Sequence, residues 1–157
     1  MKILVADDDK VSRELLGYAL KKAGHEVLFA EDGVDAVEQA SRERPDIVLM
    51  DGLMPKMHGF LACKTIKELV DPPKVVLLTG IYTKVSYKWE AKKTYLADAY
   101  INKPFDGEVL LALMETLFID LVRDRTCLST SNLAALPCPP EAPSHDSDWI
   151  EHHSMPN

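Results

Sequence analysis

The chain has 157 residues, 46% of them apolar, and a formal charge of −7. That is room for one ordinary domain with a real core and excludes wholesale disorder. The acidic balance (pI about 5.2) argues against nonspecific binding to nucleic acid or to an anionic membrane. The chain has no long apolar run and opens directly on a strand pattern, and its three cysteines (Cys63, Cys127, Cys138) lack metal-type spacing. A reduced, cytoplasmic protein without a membrane span is expected.

Lys2–Ala6 has the length and β-branching of a central strand and ends on Asp7, Asp8 and Asp9. Helical spacing follows, with Val11, Leu15, Leu16, Ala19, Leu20 and Ala23 as one stripe and Gly24 as the stop. His25–Ala30 reads as the second strand, and Asp32 caps a helix to about Glu43. Pro45 then forces an extended entry into Ile47–Met50, an apolar run ending on Asp51, before a loop with Pro55 and Gly59. The pattern continues with a helix over about Phe60–Leu69, a strand over Lys74–Thr79, and an aromatic helix over Tyr82–Thr94. A short strand, Ala99–Asn102, leads to Lys103-Pro104-Phe105, and Asp106 caps a last helix to about Val122.

Five such βα units, with strands too apolar to be half-exposed, predict a parallel sheet covered on both faces. Right-handed crossovers make it a doubly wound, flavodoxin-like α/β fold of strand order 2-1-3-4-5 over residues 1–122. Residues 123–157 carry five of the ten prolines and a charge of −3, and read as a flexible acidic tail with a helical turn around Ser131–Leu136. That segment is too short, and of the wrong sign, for a DNA-binding domain. Its ending, Trp149-Ile150-Glu151-His152-His153, fits either a short docking motif or an inert terminus.

In that order, strands one, three, four and five bring Asp7, Asp8, Asp51, Thr79 and Lys103 to one rim. Several carboxylates in one small site demand a counter-charge, and Mg²⁺, a hard cation with oxygen ligands, meets the demand while leaving room for a phosphate. Lys103 supplies a point charge and Thr79 a hydroxyl for further phosphate oxygens. An aspartate nucleophile so flanked is equipment for phosphoryl transfer.

The motifs V-A-D-D-D at 5–9, M-D-G-L-M-P-K-M-H-G at 50–59, L-L-T-G at 77–80 and N-K-P-F at 102–105 together resemble the receiver domain of bacterial two-component response regulators, of chemotaxis-regulator type. The resemblance implies that Asp51 accepts a phosphoryl group from the phosphohistidine of a histidine kinase or a phosphotransfer protein. It implies Mg²⁺ held by Asp7, Asp8, Asp51 and the backbone carbonyl of Leu53. Thr79 and Tyr100 become the switch pair, and the Lys103–Pro104 bond is cis. The output surface is the face of the fourth helix, fifth strand and fifth helix, which would bind a downstream target protein or pair two copies as a homodimer. Enzymatic activity is limited to the chain's own phosphorylation and slow dephosphorylation.

Three features depart from the family's pattern. His58 stands where Asp or Asn is usual and reads as a solvated loop residue. Leu53 and Ile81, two residues after Asp51 and Thr79, are apolar where polar groups often position the attacking water, so self-dephosphorylation is expected to be slow. The helix bearing Tyr82, Tyr87, Trp89 and Tyr95 fits a partner surface and ordinary ring packing equally. Two other functions compete. Asp7-Asp8-Asp9-Lys10-Val11 also fits the nucleophile motif of haloacid-dehalogenase-type phosphatases, with Asp7 attacking, and a phosphate-independent pseudo-receiver would keep the fold without the chemistry.

Overall fold

The computed structural model describes residues 1–80 and 96–129. The strands are β1 (Lys2–Ala6), β2 (Glu26–Ala30), β3 (Ile47–Asp51), β4 (Lys74–Thr79) and β5 (Ala99–Asn102). They form one sheet, ordered β2-β1-β3-β4-β5, with every neighbouring pair parallel. The helices are α1 (Lys10–Lys22), α2 (Gly33–Glu43), α3 (Gly59–Lys67) and a C-terminal helix, Gly107–Ser129.

Strand alternation splits the core in two. Leu4, Ala6, Val48, Met50, Val75 and Leu77 belong to a cluster with Ala36 and Ala40 of α2 and Phe60, Ala62, Cys63 and Ile66 of α3. Ile3, Val5, Ile47, Leu49, Val76 and Leu78 meet Leu20 of α1 and Leu110, Met114 and Leu117 of the C-terminal helix on the opposite face. The central strands β1, β3 and β4 are therefore dry on both faces, which is why they read as continuous apolar runs, whereas the edge strands β2 and β5 are mostly half-buried.

The helix ends follow capping chemistry. The Asp9 carboxylate accepts from the amides of Val11 and Ser12, and Asp32 does the same for Val34 and Asp35. Gly24, at φ 84°, takes the left-handed conformation that ends α1, where His25 N–H reaches the Leu20 carbonyl.

Two elements depart from the sequence reading. On α1 the buried residues are Arg13, Gly17 and Leu20, whereas Val11 and Leu15 are 72% and 69% exposed. The close contact is set by Gly17, where an added Cβ would overlap the Phe29 ring. That bare helix surface over an aromatic ring outweighs the more apolar stripe. The C-terminal helix does not stop near Val122 but continues to Ser129. Its added turn is held by charge pairs, Asp124 to Lys74 at 2.8 Å and Arg125 to Asp46 and Asp71 at 3.3 Å each. The aromatic helix read over Tyr82–Thr94, with Ile81, and the turn at Ser131–Leu136 lie outside the described residues.

Candidate functional site

The carboxyl ends of β1, β3, β4 and β5 meet along one rim. The Lys103 ammonium, just past β5, donates to Asp7 Oδ2 at 2.9 Å and lies 2.7 Å from Asp51 Oδ1. Both acids are largely withdrawn from water, with side chains 5% and 13% exposed. Their remaining oxygens are met by backbone, Asp7 Oδ1 by the Asp9 amide at 2.9 Å and Asp51 Oδ2 by the Leu53 amide at 3.0 Å. Burial works against the charge on Lys103, but its hydrogen bonds to Asp51 and Asp7 outweigh that penalty and raise its pKa above the usual 10.5. Two like charges are thus kept close by one shared cation.

Thr79 is buried at the end of β4, and its backbone carbonyl accepts from the Lys103 amide at 3.0 Å. A Cβ added at Gly52 would lie 3.4 Å from the Thr79 hydroxyl, so the glycine leaves that hydroxyl facing the start of the loop after Asp51. The loop folds back tightly, with Gly59 N–H bonded to the Gly52 carbonyl at 3.2 Å. Any side chain at Gly59 would overlap the Asp51 carbonyl oxygen. Farther along the same loop, Lys56, at φ 60°, binds the carboxylate of Asp32, which holds that acid below its usual pKa. His58 is exposed, and its side chain makes no capping bond to α3.

Asp8 is exposed and borders a hollow of about 480 Å³ together with Lys10, Arg13, Glu31, Asp32, Pro55 and Lys56. Tyr100 is half-buried against the α2/α3 cluster, with its hydroxyl oxygen shielded from solvent. The Lys103–Pro104 peptide is cis. The structure therefore brings Asp7, Asp51, Thr79 and Lys103 together, sets Asp8 at the outer edge, and leaves Leu53 half-exposed beside Asp51.

A hard divalent cation suits these donors, because all are oxygens and because Asp7 and Asp51 already converge on a single cationic nitrogen. Among the described residues, no three acidic, His or Cys side chains stand close enough to hold a metal in this arrangement, in which Lys103 takes the bridging position.

Two site residues escape sequence reasoning. Arg13 donates from Nη1 to the Asp7 carbonyl at 2.6 Å, and Lys56 closes the loop onto Asp32. Arg13 sits off the apolar stripe of α1, and Lys56 pairs with an acid 24 positions away, so no local pattern marks either.

Residues 3–115 match the family model described as the response regulator receiver domain. The response regulator MprA of Mycobacterium leprae is 38% identical over 117 residues, which is 74% of this chain and 50% of that protein. The MprA of Mycobacterium avium shows the same identity and coverage. The chain spans about half the length of these curated relatives. Among solved structures, the chemotaxis response regulator CheY4 of Vibrio cholerae is 30% identical with TM-score 0.67, covering 74% of this chain and 97% of its own. The BeF₃-activated receiver domain of RstA from Klebsiella pneumoniae is 28% identical with TM-score 0.69, over 75% of this chain and 98% of its own. No helix among the described residues is long and apolar enough to cross a membrane. With its fold, its strand order and most of its length matched, the chain belongs to the response regulator receiver family of two-component signalling proteins.

Proposed function

We propose that Asp51 is the phosphate acceptor, taking a phosphoryl group from the phosphohistidine of a sensor kinase or phosphotransfer protein. The observation that carries this reading is the single Lys103 ammonium hydrogen-bonded to both Asp7 and Asp51 on the rim where parallel α/β sheets bind ligands. In the reaction a carboxylate oxygen of Asp51 forms the new P–O bond as the donor's P–N bond breaks, and the leaving imidazole takes the electron pair. Bound Mg²⁺ would neutralise charge on the phosphoryl oxygens, held by Asp7, Asp8, Asp51 and the Leu53 carbonyl. Lys103 is then free to pair with one phosphoryl oxygen, and the Thr79 hydroxyl donates to another.

Regulation follows as a population shift. Movement of Thr79 toward the phosphoryl group draws on Tyr100, whose half-buried ring supports its place as the partner in the switch. The output face, to which β5 and the C-terminal helix contribute, binds a target protein or a second copy. We assign residues 1–122 to the phosphate-accepting unit, with the helix extension to Ser129 leading into the Pro-rich tail, and place the protein in the cytoplasm. Haloacid-dehalogenase-type chemistry at Asp7 finds no support, since the family match runs through the loop after Asp51.

Incubation with acetyl phosphate and Mg²⁺, read by intact mass, tests the reading. One added phosphoryl group in the parent and none in Asp51→Asn or in EDTA is the expected result. An unlabelled parent that is folded and binds Mg²⁺ would instead favour a phosphate-independent pseudo-receiver.

A further inference from the structure

Among the described residues Arg13, 8% exposed, is the only buried cation, and helix packing does not call for a charge there. Taking a guanidinium out of water is costly unless its donors are met. Here one nitrogen donates to the Asp7 carbonyl at 2.6 Å and another to Glu31 Oε1 at 3.0 Å. The Asp7 carbonyl lies past the last residue of β1, where the pairing with β3 ends at Ala6 and Met50. That carbonyl belongs to the peptide joining Asp7 to Asp8. Because the peptide is planar, fixing its oxygen also fixes where the Asp8 amide and Cα stand, the points from which that acid leaves the chain. Asp7 is also pinned by its amide, which donates to the Ala30 carbonyl at 3.3 Å, and by Lys103 and the Asp9 amide at its carboxylate. For the next residue, Asp8, the Arg13 bond acts through this peptide plane. The arginine also borders the same hollow as Asp8.

We propose that Arg13 is a positioning residue for the Mg²⁺ site, setting the Asp7–Asp8 peptide so that both carboxylates face one cation. The proposal rests on the reading of Asp51 as a Mg²⁺-dependent acceptor. Groups that orient metal ligands without touching the metal change affinity by about 10–100-fold when removed. A clamp that only joined α1 to the sheet would change stability and leave Mg²⁺ affinity alone.

The test is a MgCl₂ titration of ¹⁵N-labelled parent, Arg13→Met and Arg13→Lys, following the amide shifts of Gly52 and Leu53, with urea melts of each in EDTA. The methionine keeps the apolar stem and removes every donor. The lysine keeps the charge but its single nitrogen cannot span both partners as the guanidinium fork does. Folded Arg13→Met with Mg²⁺ affinity lowered about 10-fold or more, and Arg13→Lys in between, supports the proposal. Affinity in folded Arg13→Met within about twofold of the parent overturns it. Should Arg13→Met not fold, Arg13→Lys decides. Weakened binding in the folded lysine variant supports the proposal, while parental binding or loss of its fold overturns it. A parent with no Mg²⁺-dependent shifts would overturn the acceptor reading as well, an outcome distinct from variants that bind as the parent does.

Discussion

Lys103 holds Asp7 and Asp51 close together, at 2.9 and 2.7 Å from its nitrogen. In the proposed reaction that same nitrogen would face a larger negative charge once the phosphoryl group is bound, so its contribution would grow along the reaction. Lys103→Met should slow labelling by acetyl phosphate by about 100-fold, the scale of losing one preorganised charge-stabilising donor. Lys103→Arg should fail to restore the rate, because a planar fork cannot occupy the point between two carboxylates. Labelling of either variant at the parental rate would show that the lysine is a structural counter-ion only. Leu53 presents an apolar, half-exposed side chain where its amide already binds Asp51. Leu53→Asn gives a water a polar partner there, and the phosphoryl group should be lost about 10-fold faster or more. An unchanged decay rate would remove Leu53 as the cause of a long lifetime.

At the scale of elements, strands were more legible than helix faces. A strand buried on both sides carries its signal in every residue, as Ile47 to Met50 show. A helix reveals its inner face only through periodicity, and α1 misleads because its closest contact is made by Gly17, which periodicity weighs as nothing. Gly17→Ala should destabilise the fold by about 1–3 kcal/mol, the cost of forcing a side chain into a filled space, since Phe29 has to move. An unchanged urea midpoint would mean the ring swings aside freely. The end of the C-terminal helix was hidden for another reason. Asp124 and Arg125 look like the start of a polar tail until the fold brings Lys74, Asp46 and Asp71 beneath them. These pairs are partly exposed, so Arg125→Ala should cost under about 1 kcal/mol.

For the whole molecule, sheet order and the acidic rim were readable because topology alone carries four strand ends to one edge. The second tier of contacts, Arg13 on the Asp7 carbonyl and Lys56 on Asp32, depends on distances between loops that no spacing rule gives. Hydrogen bonds and ion pairs also set a pH profile. Asp9 through Ser12, Asp32 through Lys56, Glu43 through Lys2 and Asp124 through Lys74 are all held below their ordinary values of 3.8 to 4.5. Their stabilisation is complete above those values and disappears as pH falls through the lowered ones. Burial lowers His25 below 6.5, so stability also slips as pH drops through that range and the unfolded chain takes up the proton first. Lys56, Lys74 and Lys103 are raised above 10.5, and their share is complete below that value and lost as pH climbs past the raised ones. Urea midpoints should therefore hold level from about pH 7 to about pH 9 and decline on both sides. A midpoint that changed steadily across that plateau would contradict the assignment.

The central claim is that Asp51, and not another acid on the crowded rim, carries the phosphoryl group. Borohydride reduction of the labelled protein converts an aspartyl phosphate to homoserine, and peptide mass spectrometry then reads its position. Homoserine at residue 51, absent without acetyl phosphate, is the predicted result. Homoserine at position 7 or 8, with residue 51 still aspartate, would contradict the account.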